Sequence, residues 1–282
     1  MRIDQQTALY GIAGYPLAHT QSLAMHNAAF LRTHMNAVYL AFETRDMDGC
    51  LQGMRGLGIK GLSITIPHKS TVIPLLDQVD ELALDIGAVN TIVNHKGILV
   101  GYNTDATGAL RALTEKIDPA GKSCLLMGAG GAGRAIGFML RSQGARLSIT
   151  NRSVDRGEAL ARALTCPFIH LEQVRTIHPE ILIHATSVGM YPNMEGCMVP
   201  SDILEPGMVV MDVVYNPIKT RLLRVAEARG CTTISGLGMF IYQGAEQFRL
   251  WTDLKAPLST MKAAVTNKMG VSDERNSPQN TH

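Results

Sequence analysis

The sequence is poor in the features that mark secreted, membrane or nucleic-acid-binding proteins. Aromatic residues make up only 5%, with a single tryptophan. Neither sign of charge prevails: 26 Lys plus Arg against 24 Asp plus Glu leave +2, too little to attract nucleic acid or an anionic membrane by bulk charge. Any anion must therefore be held by local groups. No apolar run nears the ~18 residues that span a bilayer. The start, Met1-Arg2-Ile3-Asp4-Gln5-Gln6, has neither the basic flank nor the apolar stretch of a signal peptide. The expected location is the cytoplasm, with no nucleic-acid partner and no membrane. Cys50, Cys124, Cys166, Cys197 and Cys231 are odd in number and scattered, without CxxC spacing or nearby paired histidines, so they read as reduced structural thiols, and no metal is expected.

What is present points to a globular α/β protein. At ~150 residues per domain the chain of 282 residues suggests two domains, and 46% hydrophobic with 18% charged residues excludes a disordered or coiled-coil chain. Short β-rich runs alternate with segments of helical period, the pattern of a parallel sheet covered by helices. In the first third, strands are expected at 8–14, 37–44 and 59–66, and helices at 23–33 (Ser22 as cap) and 47–57. The runs 89–93 and 98–102 flank His95-Lys96-Gly97 as a hairpin. A helix at 106–116 precedes a break at Asp118-Pro119-Ala120-Gly121, the best domain boundary by composition. From Ser123 the alternation restarts, with strands to 127, at 145–150, 181–186, 208–214 and 232–235 and helices at 132–142, 154–163 and 220–229. Helices at 238–252 and 258–267 follow and are expected to return to the first domain. Residues 271–282 lack apolar periodicity and read as a disordered tail.

Gly128-Ala129-Gly130-Gly131-Ala132-Gly133 satisfies GxGxxG directly after the apolar Cys124-Leu125-Leu126-Met127 and before a helical run. Glycines there permit a tight turn, let backbone N–H groups approach a pyrophosphate, and seat the helix against the strand. The next strand normally ends in an acid that binds the ribose 2′-hydroxyl of NAD. Here it ends Thr150-Asn151-Arg152-Ser153-Val154-Asp155-Arg156, with no carboxylate at the tip. Arg152 and Arg156, four apart at a helix start, suit a 2′-phosphate, so the expected cofactor is NADP.

Polar clusters recur at the expected ends of strands in the first domain, where an open α/β sheet places its ligands. They are Thr20-Gln21-Ser22, Ser63-Ile64-Thr65-Ile66-Pro67-His68-Lys69, Gly87-Ala88-Val89-Asn90-Thr91 and Gly101-Tyr102-Asn103-Thr104-Asp105. Each has an ordinary alternative taken singly: Ser22 as a cap, Asn90 as a turn residue, Asp105 as a cap, Lys69 as a surface lysine. Together they fit a small polyhydroxylated acid, with hydroxyls for a carboxylate, amide and carboxylate for ring hydroxyls and a lysine able to move a proton. His19, His26 and His68 lie among these clusters, but none has metal-ligand spacing.

These motifs together resemble the shikimate dehydrogenase family, from Gly11 to about Val265. The resemblance implies a two-domain α/β enzyme that reduces 3-dehydroshikimate to shikimate with NADPH, in the shikimate pathway of aromatic amino-acid biosynthesis, with both chain ends in the substrate domain. It implies a substrate domain at 1–106, a Rossmann-type NADP-binding domain at 107–236, and helices at 237–270 packing back on the first. Lys69 and Asp105 match the catalytic pair of its VTxPxK and GxNTD motifs. Thr20 and Ser22 match the serine pair that holds the substrate carboxylate, and Ser63, Thr65, Asn90, Tyr215 and Gln243 match substrate-binding positions. Gly128, Ala129, Gly130, Gly131, Ala132, Gly133, Asn151, Arg152, Ser153, Arg156, Thr186, Ser187, Gly236 and Met239 match cofactor-binding positions.

The chain departs from the family pattern at four places. Ser63 stands where an asparagine is usual, Thr20 replaces a serine, Leu23 replaces a proline and His184 replaces an asparagine. Three readings stay open: a shikimate-forming dehydrogenase, a relative that also oxidises quinate, and a non-catalytic NADP-binding regulator. Intact Lys69 and Asp105 argue against the third. A homodimer is left open.

Overall fold

In a computed structural model of the chain, residues 3–17 and 20–275 are described, with side chains as far as residue 268. The chain divides into two compact units, residues 1–104 with 244–282, and residues 105–243.

The first unit holds β1 (Ala8–Gly14), α1 (Ser22–Arg32), β2 (Ala37–Glu43), α2 (Met47–Gly56), β3 (Gly61–Ile64), β4 (Gln78–Val79), α3 (Glu81–Ile86), β5 (Thr91–His95) and β6 (Ile98–Tyr102). Among the described residues its sheet has six strands in the order β2-β1-β3-β5-β6-β4. It is not wholly parallel. β1 runs parallel to β2 and β3, whereas β5 is antiparallel to β3 and to β6; the two-residue Lys96-Gly97 turn accounts for the second pair by reversing the chain at once into β6. α3 and β4 were not expected, yet α3 carries a readable signature: the Asp80 carboxylate accepts from Leu82 N–H, and Gly87 closes the helix at φ 69°. Ser22 is not the cap of α1 but its first residue. The Thr20 hydroxyl, two residues upstream, accepts the Ser22 N–H instead (3.2 Å).

The second unit begins within α4 (Thr104–Thr114) and continues through β7 (Ser123–Met127), α5 (Gly131–Ser142), β8 (Arg146–Thr150), α6 (Val154–Ala163), β9 (Ile181–His184), β10 (Val209–Asp212), α7 (Arg221–Ala228) and β11 (Thr232–Ser235). Its five strands, in the order β11-β10-β9-β7-β8, are all parallel. Cys124 to Met127 are buried on both faces, as a central parallel strand requires. On α5 the buried residues Ala135, Ile136, Met139 and Leu140 recur at helical spacing. α8 (Gly236–Thr252) carries the chain back to the first unit, where α9 (Leu258–Arg275) packs along α1.

The chain leaves the first unit at Thr104, not at 106 or at the Asp118–Gly121 break, and returns at Gly244, not at 237. The first transition falls at the start of α4 and the second inside α8, and neither carries a compositional mark. α9 runs through Arg275, so the first five residues of the expected tail are helical. The rest of that tail, 276–282, lies outside the described residues.

In the first unit the aromatic side chains gather around Trp251 on α8. Its ring lies 5.5 Å from that of Tyr10 and 5.1 Å from that of His26, and its Nε1–H donates to Ile92 O (3.0 Å). A Cβ on Gly61 would collide with the Trp251 indole, so β3 passes only as glycine.

Candidate active site

In the first unit the polar clusters lie at or just beyond the ends of β1, β3 and β6 and ahead of β5. Ser63 ends deep in the sheet: its hydroxyl accepts from Tyr39 (2.6 Å) and donates to Gln247 Oε1 (3.0 Å). Ser22 also hydrogen-bonds the Tyr39 hydroxyl, whose ionisation burial pushes well above its usual range. Gln247 donates both amide hydrogens, to Asn90 O (3.2 Å) and Thr91 Oγ1 (3.0 Å). Ser22, Ser63 and Asn90 are thus joined through Tyr39 and Gln247, two residues that the sequence reading missed. Gln247 was findable: it lies one helical turn beyond Gln243 on α8.

Asn90 fixes the entry to α4. Its side-chain carbonyl accepts the Thr104 N–H (2.8 Å), and its amide donates to Thr104 Oγ1 (3.0 Å). Thr65 and Lys69 follow β3. The Thr65 N–H bonds Ala13 O (3.0 Å), and the Lys69 carbonyl accepts Val89 N–H (2.7 Å), so the backbone of Lys69 is tied beside Asn90 while its side chain is half-buried. The histidines near these clusters serve packing. His68 bonds Thr44 O (3.0 Å). His26 is fully buried, stacks on Tyr39 (centroids 4.5 Å apart) and meets Gln247 Oε1 (3.2 Å); desolvation holds its pKa down at about 3. His19 lies outside the described residues.

In the second unit Asp105 is buried in the first turn of α4. One turn on, Gly108 abuts the Gln243 and Met239 backbone of α8 so closely that no side chain would fit. The Gln243 amide donates to Phe240 O (2.9 Å), and Tyr215 stacks on Phe240 (4.4 Å). Gly236 lies against the Val213 carbonyl, again leaving no room for a Cβ.

The glycine loop has the shape a pyrophosphate needs. Gly128 adopts φ 121°, and a Cβ on Gly133 would strike the Gly128 carbonyl oxygen, so the start of α5 closes on the end of β7. Above Gly130, the residue preceding α5, the space a Cβ would take is open. At the tip of β8 the Asn151 carbonyl accepts Ala129 N–H (3.1 Å), while its amide donates to Ser153 O (2.7 Å). Asn151 therefore ties the strand tip to the loop where NAD enzymes carry an acid. Ser153, Arg152 and Arg156 are exposed at the start of α6. These residues fit an NADP-type dinucleotide. Thr186 and Ser187 follow β9, and the Thr186 methyl lies against Gly128, 3.0 Å from where its Cβ would be.

Among the described residues no group of three or more His, Cys, Asp or Glu could hold a metal ion, and no helix is long and apolar enough to cross a membrane.

Residues 12–92 match the family described as the shikimate dehydrogenase substrate binding domain, and residues 236–266 match the shikimate 5′-dehydrogenase C-terminal domain. The chain is 46% identical over 266 residues to the shikimate dehydrogenase (NADP+) of Thermococcus kodakarensis, covering 93% of this chain and 97% of that one. It is 42% identical to the protein of the same name from Moorella thermoacetica, covering 96% and 97%. A crystal structure of a shikimate dehydrogenase in complex with NADP+ superposes with a TM-score of 0.92 at 40% identity, over 95% of this chain and 98% of that one. The shikimate 5-dehydrogenase of Thermus thermophilus, in complex with NADP(H) and shikimate, does so at 0.86 and 36% identity, over 92% and 99%. The fold is that of these neighbours, a substrate-binding domain and a Rossmann-type domain, and the chain belongs to the shikimate dehydrogenase family.

Proposed function

We propose that the chain is an NADP-dependent oxidoreductase that interconverts 3-dehydroshikimate and shikimate in aromatic amino-acid biosynthesis. The observation that carries this reading is the near-full-length similarity to NADP-dependent shikimate dehydrogenases, with Lys69 and Asp105 intact. Bound NADPH supplies the hydride that the carbonyl carbon takes up. Lys69 delivers the proton to the carbonyl oxygen as the alkoxide develops and removes it from the hydroxyl in the reverse direction. Asp105 orients the ammonium and keeps it available. Thr20 and Ser22 hold the substrate carboxylate; Thr65, Asn90, Tyr215 and Gln243 face the ring hydroxyls. Asn151, Arg152, Ser153 and Arg156 hold the 2′-phosphate end of the cofactor, and the loop from Gly128 to Gly133 holds its pyrophosphate.

A spectrophotometric matrix tests this reading: shikimate or quinate with NADP or NAD. Shikimate with NADP is expected to give the highest kcat/KM. Cofactor binding without turnover on either acid would replace the enzyme by a non-catalytic regulator. A cytoplasmic location and a homodimer belong to the same proposal, and light scattering on the eluting protein tests the second.

A further inference from the structure

In the second unit, a chain of four polar side chains, three of them buried, leads to the glycine loop. His184 and Asp212 are the last residues of β9 and β10 and stand opposite each other in register. Their side chains are 2% and 1% exposed, and His184 Nδ1 lies 3.0 Å from Asp212 Oδ1. Asp212 accepts two further bonds, from Val214 N–H at Oδ1 (3.1 Å) and from the Thr220 hydroxyl at Oδ2 (2.6 Å). A carboxylate ringed by donors takes the Nδ1–H of the imidazole as its third. The other ring nitrogen, Nε2, is then an acceptor, and it lies 2.6 Å from Thr186 Oγ1. Thr186 therefore turns its proton inward, its oxygen accepts Val188 N–H (3.2 Å), and its methyl is pressed toward Gly128.

We propose that His184 is a positioning residue for the cofactor site: braced by Asp212 and Thr220, it holds Thr186 against the first glycine of the dinucleotide loop. The imidazole does not touch cofactor; it acts through Thr186. Thr220 caps α7, accepting Leu223 N–H (3.4 Å) while donating to Asp212, so the brace is anchored in a helix end. Thr186, by contrast, is half-buried on the turn after β9, where the short bond to His184 Nε2 (2.6 Å) is joined only by the longer bond from Val188 N–H (3.2 Å) and a contact to Met198 Sδ (3.9 Å). Loss of the His184 bond removes the shortest of these and loosens the methyl under Gly128. The proposal rests on reading the 128–133 loop as the dinucleotide cradle.

The test uses the full-length protein with His184→Leu, His184→Gln and His184→Asn. NADPH Kd comes from fluorescence titration, Tm from melting without ligand, and KM for shikimate from turnover. His184→Leu removes both ring bonds and is expected to weaken NADPH by about tenfold, the ratio set by one lost buried hydrogen bond, with shikimate KM within about twofold. A glutamine reaches the Nε2 position and an asparagine only the Nδ1 position. His184→Gln should therefore recover NADPH affinity more than Tm, and His184→Asn should recover Tm more than affinity. If Tm falls in these variants while NADPH Kd keeps its parental value, the imidazole is only structural and the proposal is overturned. If the parent itself fails to bind NADPH, the cradle reading falls first, and the positioning role with it. Should His184→Leu not fold, the glutamine and asparagine pair still decides the matter.

Discussion

The hydroxyl of Tyr39 donates to Ser63 Oγ at 2.6 Å, and Ser63 donates in turn to Gln247 Oε1 at 3.0 Å. The serine that replaces the family's asparagine is therefore saturated from below, by a tyrosine on β2 and a glutamine on α8. Replacing it by alanine leaves a buried hydroxyl and a buried amide oxygen each short of one partner, at about 1–3 kcal/mol. Ser63→Ala is thus expected to lower the unfolding free energy from urea titration by that amount while moving shikimate KM by less than about threefold, the effect of losing under 1 kcal/mol. A KM rise of tenfold or more with unchanged stability would instead give Ser63 a direct contact to substrate.

Lys69 separates chemistry from binding. Its backbone is held at Val89, so truncating the side chain leaves the segment after β3 in place. Lys69→Ala should reduce kcat by ~10² to 10⁴, the usual contribution of general acid–base catalysis, with NADPH affinity unchanged. Stopped-flow turnover and cofactor titration on the same preparation check it; near-parental kcat would make the lysine structural.

On the proposed function, the arginines at the start of α6 decide between cofactors. Both are exposed, so neither contributes to the core, and alanine at Arg152 and Arg156 should leave the fold intact. Each charge-assisted bond to the 2′-phosphate is worth roughly 1.5–3 kcal/mol, and NAD lacks that phosphate. kcat/KM for NADP should drop while that for NAD holds. A parent that uses NAD as well as NADP would contradict the assignment.

Burial of His26 makes stability depend on pH. Its folded pKa is about 3 against 6.5 in the unfolded chain, so between these values the unfolded state binds the extra proton. Stability is complete above pH ~6.5 and declines as the pH falls toward the folded value. At pH 5 the loss from this one group is on the order of 2 kcal/mol. Urea midpoints of the parent should decline from pH 7 to pH 5, and His26→Phe should flatten that slope. Parallel slopes for the two proteins would assign the effect to other groups.

On the proposed function, substrate choice turns on Thr20. Quinate carries an extra hydroxyl on the carbon bearing the carboxylate, and the Thr20 methyl takes up room that a serine leaves. Forcing a hydroxyl into a filled corner costs roughly 1–3 kcal/mol, so shikimate should be preferred by about 10- to 100-fold in kcat/KM. Thr20→Gly should narrow that ratio, and equal efficiency in the parent would remove the steric argument.

Local chain chemistry carries much of this molecule. The glycine loop, the alternation from Ser123 onward, the missing carboxylate at Asn151 and the arginines after it can all be read within a few neighbouring residues, because turn conformation, strand burial and helix period are properties of short segments. The hairpin around Lys96-Gly97 could be read the same way. Tertiary structure decided what links distant segments. No local pattern says that Ser63 meets Gln247, 184 residues away, or that Gly61 must stay bare because the Trp251 ring lies against it. Nor does the sequence announce that His184 and Asp212 share a hydrogen bond, since it is strand order that brings β9 beside β10. The unit boundaries were hidden for a related reason: at Gly244 the chain changes partners in mid-helix, and at Thr104 it does so at the first residue of α4, so only packing marks the place.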